Sequence, residues 1–331
     1  MGADFSPQNE VCGAIDAIRE SEGRFRVLLV GKRELLETEL NKKTGFEADR
    51  ITILDASEVI SMDDEPVHAL RLKRDSTVVK GLEAVKNGTA DAFVSAGNTG
   101  AVMSGGTLEL GRISGVSRPM IGSQFPRNSG GFTLVFDVGA TVDAKPHWLK
   151  EYGIMGTIYS EKIFGIKDPS VALLSVGEEK TKGNELVLEA GKLLEATDLR
   201  FIGNVEGRDI LTGKADVVLC DGYTGNVVLK FAESVLPTLK SRIKKYSEGG
   251  VIAKIKAAIT ASVLRNSLKD FDYQEHGGVP LLGVNGVVII GHGSSTPRAI
   301  RTMIFRAEEM VKKDLVDTIR TALKIEESKN N

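Results

Sequence analysis

Lys182 sits between Glu178-Glu179-Lys180-Thr181 and Gly183-Asn184-Glu185-Leu186, a stretch whose end opens a helix. A basic residue at a helix start opposes the macrodipole unless an anion lies there. This lysine beside a glycine therefore predicts an anion-holding turn, with a solvated loop lysine as the plain alternative. Asn226 ends Asp221-Gly222-Tyr223-Thr224-Gly225-Asn226 and offers an amide donor able to polarise a carbonyl. Asn98-Thr99-Gly100 follows an apolar run, so its N–H groups and the Thr99 hydroxyl can hold phosphate oxygens, although the same residue types are ordinary helix caps. His292, in Gly291-His292-Gly293-Ser294-Ser295, can exchange a proton near neutral pH, while Ser294 and Ser295 also suit a cap for the last helix. These types fit chemistry at a carbonyl beside an anionic ligand.

Six polar, glycine-bearing turns follow aliphatic runs, at 95–100, 137–140, 176–179, 203–207, 221–226 and 291–295. Strand, glycine turn, helix is how α/β sheets present N–H groups at their carboxyl edge, so the six are expected on one edge. Strands are expected at 26–30, 51–54, 92–95, 171–176, 201–203, 215–219 and 287–290, with 119–122 and 132–136 forming a hairpin-like excursion. Helices are expected at 9–19, 33–41, 65–71, 76–86 and 146–164, and one long helix over 297–324. Continuous apolar runs alternating with helices indicate strands covered on both faces. The fold class is thus α/β, a Rossmann-like, mostly parallel sheet with helices on both sides. Residues 1–7 read as a turn into the first helix, where a preceding strand is expected and not found. One domain is expected over 1–325, followed by a polar tail at 326–331.

With 331 residues, 41% of them hydrophobic, the chain can bury a large core. A net charge of −2 argues against a nucleic-acid partner. The two cysteines, Cys12 and Cys220, lie far apart, and Cys220 ends the apolar run 215–220, so it is expected to be buried and inert. No disulfide framework or zinc spacing is present, which fits a reducing cytoplasm. Asp137, Asp143, Glu179 and Asp221 are scattered carboxylates without ligand spacing, and no metal or cofactor is expected. His68, His147 and His276 receive no chemical role. A Walker lysine motif, a nucleophile elbow and an intact dinucleotide glycine loop are missing, which weakens NTPase, serine hydrolase and ordinary dehydrogenase readings. No run of 18 apolar residues is present, which leaves attachment to a membrane surface open.

The stretch 236–270 differs from its surroundings and is expected to form a basic, amphipathic helical insertion. Between 240 and 269 the bases are Lys240, Arg242, Lys244, Lys245, Lys254, Lys256, Arg265 and Lys269, with Glu248 as the only acid. Val251, Ile252, Ile255, Ile259 and Val263 recur at helical spacing, predicting an amphipathic helix over 251–264 after Gly249-Gly250. Such a face suits an anionic lipid surface or an acidic partner, and a stripe packed on the core or on a second subunit is the plain alternative.

Several strings resemble, in order, the bacterial phosphate acyltransferase family of phospholipid synthesis, called PlsX. They are Ser95-Ala96-Gly97-Asn98-Thr99-Gly100-Ala101, Asp143-Ala144-Lys145-Pro146, Lys182-Gly183-Asn184-Glu185-Leu186 and Phe201-Ile202-Gly203-Asn204-Val205-Glu206. Asp221-Gly222-Tyr223-Thr224-Gly225-Asn226 within 220–230, Pro280-Leu281-Leu282-Gly283-Val284 and His292-Gly293-Ser294-Ser295 complete the set. The resemblance runs from residue 1 to about 325. It departs where the family pattern Asp-Ala-Met-Gly-Gly-Asp-His-Ala-Pro meets Met1-Gly2-Ala3-Asp4-Phe5-Ser6-Pro7, so that a first strand and a loop histidine are absent. Thr141 stands where Asn is usual and Glu178 where Thr is common.

The resemblance implies attack of inorganic phosphate on the thioester of a fatty acyl group carried by acyl carrier protein, giving acyl phosphate and free carrier. It implies Lys182 and Asn226 as the catalytic residues. Phosphate and substrate contacts would come from Asn98, Thr99 and Gly100, from Asp143 and Lys145, and from Gly183, Asn184 and Asn204. Asp221, Gly222, Thr224 and Gly225 would add to them, as would His292 and Ser294. Lys244, Lys245, Ile252, Lys254, Ile255 and Ile259 would meet the carrier or the membrane. The resemblance also implies a homodimer, peripheral attachment to the inner face of the cell membrane, and a downstream acyl-phosphate:glycerol-3-phosphate acyltransferase that uses the product. Two other classes compete: a nicotinamide- and metal-dependent dehydrogenase of similar fold, which needs a carboxylate cluster, and a noncatalytic membrane scaffold, which leaves the polar turns without a role.

Overall fold

The computed structural model describes residues 1–271 and 277–329. His276, the tail residues 330–331 and the side chains of Arg265 and Lys269 lie outside the described residues. The first part of the chain runs α1 (Gln8–Glu20), β1 (Val27–Gly31), α2 (Arg33–Asn41), β2 (Ile51–Asp55), α3 (Pro66–Leu72), α4 (Thr77–Lys86), β3 (Ala92–Ser95) and α5 (Thr99–Gly105). The middle is β4 (Met120–Pro126), β5 (Phe132–Phe136), α6 (Pro146–Phe164), β6 (Val171–Leu174), α7 (Glu185–Glu195), β7 (Phe201–Val205), α8 (Asp209–Thr212) and β8 (Val217–Leu219). Then follow α9 (Gly222–Ser247), α10 (Val251–Ser267), β9 (Val279–Leu282), β10 (Val287–Ile290), α11 (Pro297–Lys312) and α12 (Leu315–Lys329).

The strands of the main sheet bury both of their faces. Because strand side chains alternate, Val217 and Leu219 pack on one side with Leu149, Tyr152 and Met155 of α6, while Val218 and Cys220 pack on the other. Val217 and Val218 are both 0% exposed, and each such burial contributes about 1.5–3 kcal/mol. Helix α6 is bounded as its sequence demands. Pro146 opens it, where a missing N–H does no harm, and Gly165 ends it in the left-handed region at φ 68°.

Eight strands form one sheet in the order β3-β10-β9-β4-β5-β8-β6-β7, and β1 and β2 form a separate parallel pair. Among the described residues five of the eight strand pairings are parallel, in keeping with the expected mostly parallel sheet. Strands β4 and β5 form the expected hairpin, but it occupies the middle of the sheet and is no excursion. Strand β9 was not among the expected strands. Pro280 inside the run argues against a ladder position, yet Pro280 lies opposite Ile289 in the antiparallel pairing with β10.

These antiparallel pairings correct the expectation of six turns on one edge. Strands β3, β10 and β4 run one way, and β9, β5, β8, β6 and β7 run the other. The turns after β3 and β10 therefore leave at one edge, and those after β5, β8, β6 and β7 leave at the opposite edge. The long final helix is likewise two. Asp314 takes φ 48°, a conformation Asp tolerates better than most residues, and this breaks the helix so that α12 folds back along α6.

Candidate active site

The edge formed by β5, β8, β6 and β7 gathers most of the residues singled out by their chemistry. Lys182 lies in the turn between β6 and α7, with its N–H donating to the Glu179 carbonyl at 2.9 Å. The side chain of Asn204, at the end of β7 and 8% exposed, donates to the carbonyls of Glu179 at 3.0 Å and Lys182 at 3.1 Å. Asn204 thus holds the lysine turn by its backbone. Gly183 has φ 117°, and a side chain there would also collide with Val187, so the turn requires glycine. Asn184 caps α7, its Oδ1 accepting from Val187 N at 3.0 Å. Lys180 pairs with Glu195 and Lys214 with Glu178. Lys182 is exposed and, among the described residues, has no carboxylate partner.

Strand β8 is hydrogen-bonded to β6 and ends in the second turn. Asp221 caps α9 by accepting from Thr224 N at 2.8 Å and from the Thr224 hydroxyl at 2.7 Å. These bonds commit Asp221 and Thr224 to shaping the first turn of α9, while Asn226, two residues on, is exposed. Beside it lies the turn after β5, where Gly222 N donates to the Thr141 carbonyl at 2.8 Å. Asp143 and Lys145 extend from this turn and are exposed, and the Lys145 ammonium lies 5.8 Å from the centre of the Trp148 ring. Residues 222–226, expected as a glycine turn, are the start of α9, and they share one sheet edge with Lys182, Gly183, Asn184, Asn204, Asp143 and Lys145.

Asn98, Thr99, Gly100, His292 and Ser294 lie at the other edge. Both polar atoms of the Asn98 side chain are engaged. Its amide donates to the carbonyls of Ser61, Met62 and Asp64, and its oxygen accepts from Ala101 N at 3.0 Å. The residue latches the 61–64 loop and caps α5. His292 Nδ1 is 2.8 Å from the Ser294 hydroxyl.

Two features of the site escaped the sequence reading. Asp137, one scattered carboxylate in the sequence, is 0% exposed and accepts four backbone N–H groups. Burial pushes its carboxyl up to about 6, against the pull of those donors toward the charged form. The second is the Thr141 backbone, which meets α9. The available signal was an acid at the end of an aliphatic strand directly before a glycine turn. Cys220 is buried as expected, and burial together with Asp137 and Asp221 pushes its thiol well above the ordinary range. Among the described residues no group of three or more His, Cys, Asp or Glu is gathered as a metal site.

The same fold occurs in solved structures of a phosphotransacetylase and a phosphotransacylase. A phosphotransacetylase from Streptococcus pyogenes superposes with a TM-score of 0.56 at 20% identity, covering 95% of this chain and 91% of that one. A branched-chain phosphotransacylase from Enterococcus faecalis gives 0.54 at 12% identity, over 94% and 97%. The family model for fatty acid synthesis proteins matches residues 1–318. A phosphate acyltransferase from Heliobacterium modesticaldum is 48% identical over 320 residues, 97% of this chain and 95% of the relative. One from Halothermothrix orenii is 46% identical over 322 residues, 97% and 96% of the two chains. The chain belongs to the phosphate acyltransferase family, a family of enzymes.

Proposed function

We propose that this enzyme transfers a fatty acyl group from acyl carrier protein to inorganic phosphate. The observation that carries the reading is the placing of Lys182, in the turn after β6, and Asn226, near the start of α9 just after β8, at one sheet edge where β6 and β8 are hydrogen-bonded neighbours. Phosphate is already anionic at neutral pH, so it needs positioning more than a strong base. The Lys182 ammonium holds it against the thioester. A phosphate oxygen attacks the carbonyl carbon, the developing oxyanion receives the Asn226 amide, and the C–S bond breaks as the carbonyl reforms. The proton of the hydrogen phosphate passes to the departing thiolate, leaving acyl phosphate and the free thiol of the carrier. No acyl-enzyme is involved, in keeping with a buried Cys220.

The test is acyl phosphate formation from a long-chain acyl carrier protein thioester and phosphate. Removing one oxyanion donor lowers kcat by roughly 10²–10³-fold, so Asn226→Ala is expected in that range and Lys182→Ala is expected to raise the phosphate requirement steeply. Near-normal turnover in both folded variants would sink the assignment. A nicotinamide-linked absorbance change would favour the dehydrogenase, and neither activity would favour the scaffold.

The same reading extends to delivery of the product. Val251, Ile252, Ile255, Ile259 and Val263 of α10 are 58–75% exposed, beside Lys244, Lys245 and Lys254. A cationic helix with an uncovered apolar row fits peripheral attachment to an anionic membrane, where an insoluble acyl phosphate can pass to an acyl-phosphate:glycerol-3-phosphate acyltransferase. No described helix is long and apolar enough to cross a membrane. A homodimer and an acidic carrier belong to the same proposal.

A further inference from the structure

We infer that Asp137 is the positioning residue of the acyl-transfer site, setting the orientation of Asn226 through a buried hub of backbone amides. The inference rests on the reading of Asn226 as the oxyanion donor. Asp137 Oδ1 accepts from Ile121 N at 3.2 Å, Gly139 N at 3.1 Å and Ala140 N at 3.0 Å, and Oδ2 accepts from Thr141 N at 2.7 Å. One carboxylate thereby ties strand β4 to the whole 139–141 turn. Its own N–H donates to the Cys220 carbonyl at 3.1 Å, and its carbonyl accepts from the Cys220 thiol at 3.3 Å.

Helix α9 is seated on the same hub. A Cβ placed on Gly222 would lie 2.6 Å from the Thr141 carbonyl oxygen and 2.7 Å from Asp137 Oδ2, so the helix start rests directly on the acid and its turn. On the far side of the turn, a Cβ on Gly139 would come within 3.6 Å of the Asn226 side chain. The turn ordered by Asp137 is the wall behind the amide that would receive the oxyanion. Only a carboxylate serves all four donors, because an amide with its oxygen in the Oδ1 position turns its NH2 group toward the Thr141 N–H and leaves that donor without an acceptor. The position therefore demands Asp beyond what packing alone would ask.

Asp137→Asn tests this, because it keeps the size and removes the acceptor capacity. A misplacement near 1 Å at a reacting group costs about 100-fold, and that is the expected fall in kcat. The KM for phosphate, set by Lys182 on a separate turn, is expected to change by less than about threefold. A second variant, Gly222→Ala, leaves the acid intact and wedges α9 off the hub, and the same split is expected. The third readout is independent of catalysis. The side-chain amide resonances of Asn226, assigned by their loss in Asn226→Ala, are expected to shift or broaden in Asp137→Asn and in Gly222→Ala. A purely structural role would lower thermal stability while leaving kcat per folded molecule and those resonances unchanged, and that result in either folded variant overturns the inference. If the unaltered enzyme makes no acyl phosphate, the functional reading fails on its own, and the resonances still decide whether Asp137 positions Asn226.

Discussion

Gly225→Ala places a methyl group where the chain has none to spare. A Cβ there would lie 1.8 Å from the Asp137 carbonyl oxygen and 3.0 Å from the Cys220 sulfur. Reaching even a 3.0 Å separation needs a retreat of 3.0 − 1.8, or 1.2 Å, between two backbone segments. Neither segment ends in a flexible side chain that can swing aside. Overpacking of this kind costs about 1–3 kcal/mol, and a backbone obstacle puts the substitution at the upper end. Replacing a helical glycine by alanine returns about 1 kcal/mol, which leaves a net loss of about 2 kcal/mol. At an unfolding entropy of about 2.1 cal/mol/K per residue, that lowers the melting temperature by about 3 °C. Turnover falls further than stability, by about 100-fold, because the next residue is Asn226. Differential scanning fluorimetry and the acyl phosphate assay read the two effects. Gly207→Ala is the control, since nothing lies within 4 Å of a Cβ there, and it is expected to change stability by less than about 0.5 kcal/mol. A Gly225→Ala protein matching the unaltered enzyme in melting and turnover would refute the close seating of α9 on the Asp137 turn.

Asn204→Ala frees the Lys182 turn, so the KM for phosphate is expected to rise about tenfold with a smaller change in kcat, measured by initial rates at saturating thioester. Ile255→Asp and Ile259→Asp, at positions 58% and 61% exposed, are expected to abolish sedimentation with anionic vesicles while sparing turnover of soluble substrate, and unchanged sedimentation would count against membrane attachment. Of the two thiols, Cys220 is buried with its pKa raised, so a disulfide reagent is expected to titrate Cys12 in the native protein and Cys220 only after unfolding.

Local signals made much of the fold legible. Pro146 and Gly165 bracket α6, and the aliphatic runs 171–176 and 215–219, each a little too long, announced the buried strands Val171–Leu174 and Val217–Leu219. Strand direction was not legible, because an apolar run looks the same in either orientation. The β4–β5 hairpin was legible but its place in the middle of the sheet was not, and with it the division of the polar turns between two edges went unseen. Pro280 hid β9, and no glycine or proline announced the break at Asp314. Within the site, Lys182 and Asn226 stood out by residue type and turn context. The part played by Asp137 depends on amides from β4 and from its own turn converging after folding, which no spacing along the chain reveals.

Helix α9 begins against the buried acid and carries Lys244 and Lys245 in its last turn. From Asn226 to Lys245 it is a rod of about 28 Å at the helical rise, which sets the cationic end far from the proposed oxyanion donor. Pro237 interrupts that rod, having no N–H to give the carbonyl of Glu233, and bending concentrates there. The outer half can follow an uneven surface while the inner half stays fixed in register, which separates mechanical compliance from chemical alignment along a single element.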